Sequence, residues 1–268
     1  MQALATFFQK SGINIYMEKN LAQKTVKFKV KRQADPESQS HYDNFEVPYE
    51  EGMNVISLLM ATRQYPKTTE GSATEPVSFE CSCLEEVCGS CTMLINGKVR
   101  QACSALVDKI DQPITLEPMS KFPVRRDLVV DRSRMFESLK KVKAWIAIDG
   151  IYDLGEGPKV LPEVQEENYI LSRCMTCGCC LEACPQWTND GGFIGAQAIS
   201  QAVLFNAHPS GASLKSDRVH ALIDNGLNNC GNAQACVKAC PKEIPLTDSI
   251  ARANRQATEV LIHDLLRK

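Results

Sequence analysis

No apolar run in this sequence of 268 residues approaches the roughly 20 that a membrane-spanning helix needs. The chain is therefore not expected to enter a bilayer by itself. A secretory signal is missing as well, because Lys10, Glu18 and Lys19 interrupt any apolar core within Met1–Lys24. Met17 offers a second possible start, which would leave the first sixteen residues as an extension. Positive charge is not in excess: 30 Lys and Arg stand against 32 Asp and Glu, a net charge of −2, so no nucleic-acid partner is expected. Histidine is scarce, at four residues, and His41, His220 and His263 sit at no metal-ligand spacing. His208, before Pro209, reads as a turn or capping residue, with a functional role as the alternative. No dinucleotide fingerprint, dicarboxylate site or proton-abstracting base is found, so no residue is assigned a catalytic role.

What the chain does have is cysteine, thirteen of them, within an ordinary soluble composition of 44% hydrophobic and 23% charged residues. With no secretory signal, these thiols are expected in a reducing cytosol, where motif-spaced cysteines more often hold metal than pair as disulfides. An odd count also leaves one thiol over in any disulfide framework.

The two halves of the chain have different patterning. Val26, Phe28 and Val30 alternate with Lys27, Lys29 and Lys31, the period-two signature of a half-buried strand. Phe45–Val47 reads as a second strand, Asn54 as the cap of a helix carrying Val55, Leu58 and Leu59, and Pro76–Phe79 as extended chain. Thr92–Ile95 and Lys98–Ala102 flank Asn96-Gly97, a strong hairpin signal, and Ile114–Leu116 adds a last strand. Together they predict a small mixed sheet with one helix across it. Beyond Pro123 no strand is expected. Helices are expected over Asp131–Lys143, Glu166–Leu181, Ala196–Phe205, Asp217–Asp224 and about Asp248–Leu266, with a turn-rich connector at Gly150–Pro162. The fold class is thus α+β. An N-terminal extension (1–24) precedes a sheet domain (25–122) and a helical domain (123–268), with a linker near 144–162.

Cys83, Cys88, Cys91 and Cys103 form C-x4-C-x2-C plus a distant fourth cysteine, the plant-type spacing for a 2Fe–2S cluster. Three thiolates from one loop require its backbone to wrap the cluster and aim amides at sulfur, and Gly89 and Ser90 are small enough to allow that. A four-thiolate zinc site is the alternative for this group, although zinc ribbons usually pair two C-x2–4-C knuckles. Cys81 fits no ligand position and is expected to be a small, at least partly buried thiol.

Cys174, Cys177, Cys180 and Cys184 before Pro185 give C-x2-C-x2-C-x3-C-P, a run whose fourth cysteine ligates the other cluster of a pair. The partner run is Cys230, Cys236 and Cys240 before Pro241, with Ala233 where its middle cysteine would fall. Crossing the ends over assigns Cys174, Cys177, Cys180 and Cys240 to a 4Fe–4S cluster. Only Cys184, Cys230 and Cys236 remain for the other, and a methyl group cannot ligate iron. A 3Fe–4S cluster is the occupant that set predicts, with Cys179 left as a bystander.

With these motifs, and with Val130-Asp-Arg-Ser-Arg-Met135, the chain resembles the iron–sulfur subunits of succinate dehydrogenase and fumarate reductase. Ser138–Trp145 and Leu204–Pro209 resemble the form found in Gram-positive bacteria. The resemblance runs from about Thr25 to the C-terminal helix. It implies a β-grasp plant-type ferredoxin domain followed by an all-helical domain resembling bacterial ferredoxins. It also implies a flavoprotein partner carrying FAD, a membrane-anchor cytochrome b carrying haem b, menaquinone as acceptor, and a place on the cytoplasmic face of the cell membrane. In many members a histidine follows a 3Fe–4S cysteine and helps form a quinone pocket; here Gly231 follows Cys230, and Trp187 lies only three residues past Cys184. The basic stretch from Lys121 to Lys143 reads equally as a docking face for an acidic flavoprotein or as a solvated helix face. Trp187, Phe193 and Ile194 read as core, with an interface to the anchor as the alternative. A stand-alone ferredoxin-like carrier is the competing function.

Overall fold

The computed structural model describes residues 24–147, 159–188 and 191–267. The N-terminal extension before residue 24 and most of the turn-rich connector lie outside the described residues.

Alternation builds the first sheet. In β1 (Thr25–Arg32), Val26, Phe28 and Val30 turn inward while the lysines between them face outward. β2 (His41–Pro48) pairs antiparallel with β1, and Phe28 stacks on its register partner Phe45 with ring centroids 5.3 Å apart. The hairpin β3 (Thr92–Ile95) and β4 (Lys98–Gln101) and the strand β5 (Ile114–Glu117) complete a five-stranded sheet in the order β2-β1-β5-β3-β4, with β1 and β5 parallel. α1 (Val55–Gln64) lies in the long crossover between β1 and β5. Its start is fixed by a capping box, in which Asn54 Oδ1 accepts from the Ser57 amide at 3.0 Å and Ser57 Oγ accepts from the Asn54 amide. Leu58 and Leu59 are fully buried in the sheet core, each worth about 1.5–3 kcal/mol of burial.

Pro76–Phe79 runs extended but joins no ladder. Side chains hold it instead. Asp127 accepts from the Ser78 amide at 2.9 Å, from the Gln33 amide at 3.1 Å and from Arg32 Nε at 3.0 Å. Arg32 is the fourth inward position of β1, and it also reaches Asp43 at 2.8 Å, so the buried charge is paired twice.

The expectation of no strand beyond Pro123 is wrong. β6 (Val124–Arg126) and β7 (Val129–Val130) form a hairpin whose turn uses Asp127 at φ +47°. Leu128 buries in the first core and Val130 in the second, so the hairpin spans both. The expected single helix over Glu166–Leu181 is also wrong. α3 (Pro162–Ser172) stops short, the chain turns through Thr176 and Gly178 at positive φ, and α4 (Cys179–Glu182) begins afresh. That break curls the cysteine run into a loop where a continuous helix would have laid it along one face.

α2 (Ser133–Lys141), α5 (Ala196–Ala207), α6 (Lys215–Asp224), α7 (Ala235–Ala239) and α8 (Leu246–Leu266) complete the helical part. α5 is its centre. Ala198, Ser200 and Ala202 are fully buried, and α8 brings Ser249, Ala253 and Ala257 to it, with Ser249 Oγ 3.4 Å from Ser200 Oγ. Trp187, Phe193 and Ile194 belong to this core. The basic stretch is largely engaged within the chain: Arg125 pairs with Asp131, Arg126 with Glu75 and Lys143 with Asp217. His208 caps the following turn, its Nδ1 accepting from the Ser210 amide at 3.2 Å.

His220 clasps α6 to the end of α8. Its ring nitrogens lie 2.9 Å from the Ser216 carbonyl and 2.9 Å from Asp264. The Ser216 carbonyl first, and Asp264 next, raise its pKa above the usual imidazole value. A raised folded-state pKa contributes stability fully below about 6.5, and that stability is lost as pH rises through the folded value. The clasp is half-exposed, which limits it to the ~0.2–1 kcal/mol of surface pairs. Amide exchange in the last turns of α8, corrected for intrinsic rates, is expected to lose protection above that pH, and His220→Ala to remove the dependence.

Candidate cluster sites

The loop from Cys83 to Cys91 wraps around its own first sulfur. The amides of Glu85, Val87 and Cys88 point at Cys83 Sγ from 3.5, 3.3 and 3.3 Å. Leu84 and Glu86 adopt positive φ to make this possible, a conformation that costs a non-glycine residue about 1–2 kcal/mol. Strain of that size persists only where the surroundings require it. Ser90 Oγ lies 3.2 Å from Cys88 Sγ, and hydrogen bonds from the Cys83 backbone and from Ser90 bring the Cys88 thiol down to about 6. Cys103, past β4, is pushed up to about 11, first by burial and then by neighbouring Cys91. Its carbonyl accepts from Asn54 Nδ2 at 3.0 Å, which fixes the fourth thiol to the start of α1. Convergent thiols within a shell of N–H donors suit an anionic sulfur-rich group.

The other two sets also come together, with the chain ends crossed. Cys174, Cys177, Cys180 and Cys240 line one small cavity, together with Cys179. Cys184, Cys230 and Cys236 line a second, and Ala233 stands in the same wall. Burial pushes Cys180 well up, with Cys177, Cys174 and Cys240 as its nearest charged neighbours. Burial likewise raises Cys236, followed by the effects of Cys184 and Cys230. Buried thiols of this kind ionise only against positive charge, which bound iron supplies. Among the described residues, no three His, Cys, Asp or Glu side chains gather closely enough to hold a single metal ion. All thirteen cysteines are free thiols.

The 2Fe–2S iron–sulfur cluster binding domain family matches residues 27–137, and the 4Fe–4S dicluster domain family matches residues 170–244. The succinate dehydrogenase iron–sulfur subunit of Bacillus subtilis (strain 168) is 56% identical over 234 residues, covering 87% of this chain and 92% of that protein. The chain belongs to the succinate dehydrogenase and fumarate reductase iron–sulfur subunit family. Another relative, the fumarate reductase iron–sulfur subunit of Wolinella succinogenes, is 31% identical, with 84% of this chain and 95% of that protein aligned. Among solved structures, a chain of the Mycobacterium smegmatis Sdh1 complex in the apo form shares the fold. Its TM-score is 0.72, with 88% of this chain and 97% of that chain covered at 22% identity. As in that family, a sheet domain with 2Fe–2S character comes first and a helical part with 4Fe–4S character second. Among the described residues no helix is long and apolar enough to cross a membrane.

Sequence reading of this iron–sulfur subunit missed the residues that join the two parts. Arg132 donates to the Gly89 and Ser90 carbonyls at 2.8 and 2.6 Å, clamping the first cysteine loop from beyond β7. Glu182, buried in α4, accepts from the Ser120 and Lys121 amides at 2.9 and 3.0 Å. No local pattern announces such contacts, since the partners lie 43 and 62 residues apart. Cys81 is half-buried beside the sheet core, and Cys179 is fully buried between the two halves.

Gly89 marks the closest approach. It sits at φ +73°, and a Cβ there would meet Cys177 Cβ at 2.8 Å and Cys177 Cα at 2.9 Å. Gly89→Ala is therefore expected to cost about 1–2 kcal/mol in backbone strain alone, and more as the loop is forced off Cys177. A melting temperature lowered by at least ~2–4 °C would register it.

Proposed function

We propose that the chain is the electron-transfer subunit of a membrane-bound succinate:quinone oxidoreductase. Cys83, Cys88, Cys91 and Cys103 would hold a 2Fe–2S cluster, Cys174, Cys177, Cys180 and Cys240 a 4Fe–4S cluster, and Cys184, Cys230 and Cys236 a 3Fe–4S cluster. When bound, these groups supply one-electron redox centres. The chain's own residues position thiolates, aim backbone amides at sulfur, and hold the two cysteine-bearing halves in contact at Gly89 and Cys177. The observation that carries the reading is the crossing of the two cysteine runs into separate cavities, with Ala233 in the wall of the three-cysteine one.

In this reading the sheet part is a β-grasp plant-type ferredoxin domain ending near Pro123, and the helical part is an all-helical domain resembling bacterial ferredoxins. The partners are a flavoprotein with FAD and a cytochrome b anchor with haem b, at the cytoplasmic face of the membrane, with menaquinone as acceptor. The 56% identity to a Bacillus subtilis succinate dehydrogenase subunit supports succinate oxidation as the direction. Fumarate reduction is the second reading, favoured by the 31% identity to the Wolinella succinogenes subunit. Gly231 faces Gln186, whose amide lies within 2.6 Å of where a Cβ would stand. A histidine there would displace Gln186, so a quinone site close to Cys230 would need rebuilding, and we place quinone elsewhere on the anchor.

EPR of the purified complex tests the assignment. The oxidised sample is expected to show a 3Fe–4S signal, and the dithionite-reduced sample a 2Fe–2S signal, with flavoprotein and haem protein co-purifying. Zinc without acid-labile sulfide would overturn it. The growth phenotype of a deletion strain, aerobic against fumarate-respiring, separates the two directions.

A further inference from the structure

Gln101 ends β4, and its side chain is wholly buried between the two halves of the molecule. Three groups surround its amide. Oε1 lies 3.4 Å from Cys91 Sγ, Nε2 lies 2.7 Å from Thr92 Oγ1, and Nε2 lies 3.4 Å from Cys179 Sγ. Cys91 belongs to the first cysteine group, and Cys179 lies between Cys177 and Cys180 of the second. One side chain thus links a ligand of the first group to the bystander thiol that lies within the second run, 78 residues away in sequence.

With every cysteine protonated, the Cys91 thiol donates to Gln101 Oε1. A Cys91 that ligates iron carries no proton, so an amide oxygen would face an anionic sulfur with nothing between them. Turning the amide over removes that conflict. Nε2 then donates to the Cys91 thiolate, and Oε1 accepts from the Cys179 thiol and the Thr92 hydroxyl. The Thr92 hydroxyl now donates to the Gly89 carbonyl at 2.9 Å, but that carbonyl keeps Arg132 Nη1 at 2.8 Å when the hydroxyl leaves. In the turned arrangement Cys91, Thr92 and Gly89 each keep a partner, and the Cys179 hydrogen moves to Oε1 from Cys177, its side-chain partner in the protonated chain.

We propose that Gln101 is a positioning residue which donates an N–H to ligating Cys91 and anchors that contact on Cys179, so that it raises the reduction potential of the 2Fe–2S centre. The proposal rests on the ligand set given above. A hydrogen bond to a ligand sulfur favours the reduced state, which carries one more negative charge. Gln101 itself gains and loses no proton.

The test is a redox titration of the assembled complex, with the 2Fe–2S signal followed by EPR, for wild type, Gln101→Leu and Gln101→Glu. Gln101→Leu keeps the bulk and removes the donor. It is expected to lower the reduced-to-oxidised ratio at a fixed potential by about tenfold, equivalent to about 59 mV for a one-electron couple. Gln101→Glu, an acceptor only, is expected to shift it further the same way. Wild type labelled with 15N at glutamine side chains should show a nitrogen coupling to the reduced centre that Gln101→Leu lacks. Unchanged potentials in both variants, with no such coupling in wild type, would overturn the proposal while leaving the clusters in place. A wild-type complex without a 2Fe–2S signal would instead defeat the ligand assignment, and this proposal with it. Should neither variant assemble, the nitrogen coupling in wild type alone decides: present it supports the contact, absent it refutes it.

Discussion

Arg218→Ala is expected to lower the stability of the helical part by about 2–6 kcal/mol, the cost of leaving buried acceptors without their donor. Arg218 lies in α6 and is completely buried. Nε donates to the Lys143 carbonyl at 2.9 Å, Nη2 to the Trp145 carbonyl at 2.7 Å, and Nη1 to the Gly211 carbonyl at 2.7 Å and Asn206 Oδ1 at 3.1 Å. The Lys143 carbonyl also accepts from the Trp145 amide at 2.7 Å, so the contacts that depend most on Arg218 are those to Gly211, Trp145 and Asn206. Truncation would take the donor from the buried Gly211 carbonyl and from Asn206 Oδ1, at about 1–3 kcal/mol each before relaxation. Burial already pulls the Arg218 pKa below its usual value, a sign of how far the guanidinium is removed from water. Domains are commonly stable by only ~5–15 kcal/mol, so the loss should show as a lower melting temperature and as faster proteolysis near Lys143–Trp145. Arg218→Lys should recover little, because an ammonium cannot reach in four directions as a planar fork does. Equal melting of wild type and both variants would show that α6 does not pin this segment.

The sheet was legible because its physics is local. Period-two alternation in Thr25–Arg32, the Asn54 cap and the Asn96-Gly97 turn each specify their own geometry, and Asn96 and Gly97 indeed take φ +48° and +73°. The cysteine sets were legible for a different reason. Spacing along a loop limits which thiols can meet, and the proposed crossing has a counterpart in two cavities, the first of which also takes in Cys179. Illegible features depend on distant partners. The break between α3 and α4 uses Thr176 at φ +53°, a β-branched residue in a conformation that sequence propensity disfavours. Gly178 follows at φ +88°, packed beside Phe122, whose ring would stand 3.3 Å from a Cβ there. The hairpin after Pro123 depends on Asp127, whose carboxylate serves Arg32, Gln33 and Ser78 together. Gln101 and Arg132 looked like ordinary polar residues until the two halves were brought together.

Ala233→Cys is expected to change the spectrum of the three-cysteine site. Asn232 and Gln234 both take positive φ, at +52° and +56°, so the chain turns sharply on either side of residue 233. That turn sets Ala233 in the wall of the cavity shared by Cys184, Cys230 and Cys236, where a fourth thiol would have somewhere to point. A cysteine side chain adds one sulfur to alanine, a small change at an exposed backbone position that needs no repacking of the core. The expected result is loss of the oxidised-state 3Fe–4S signal, gain of a second 4Fe–4S signal on reduction, and one more iron per chain by metal analysis. A persistent 3Fe–4S signal, together with a thiol at 233 that reacts with alkylating reagent, would show that Ala233 does not face the open corner. The two outcomes also separate ligand number from cavity shape as the cause of a three-iron site: if the thiol is present in the cavity and the fourth iron still does not bind, the surrounding wall rather than the missing sulfur excludes it.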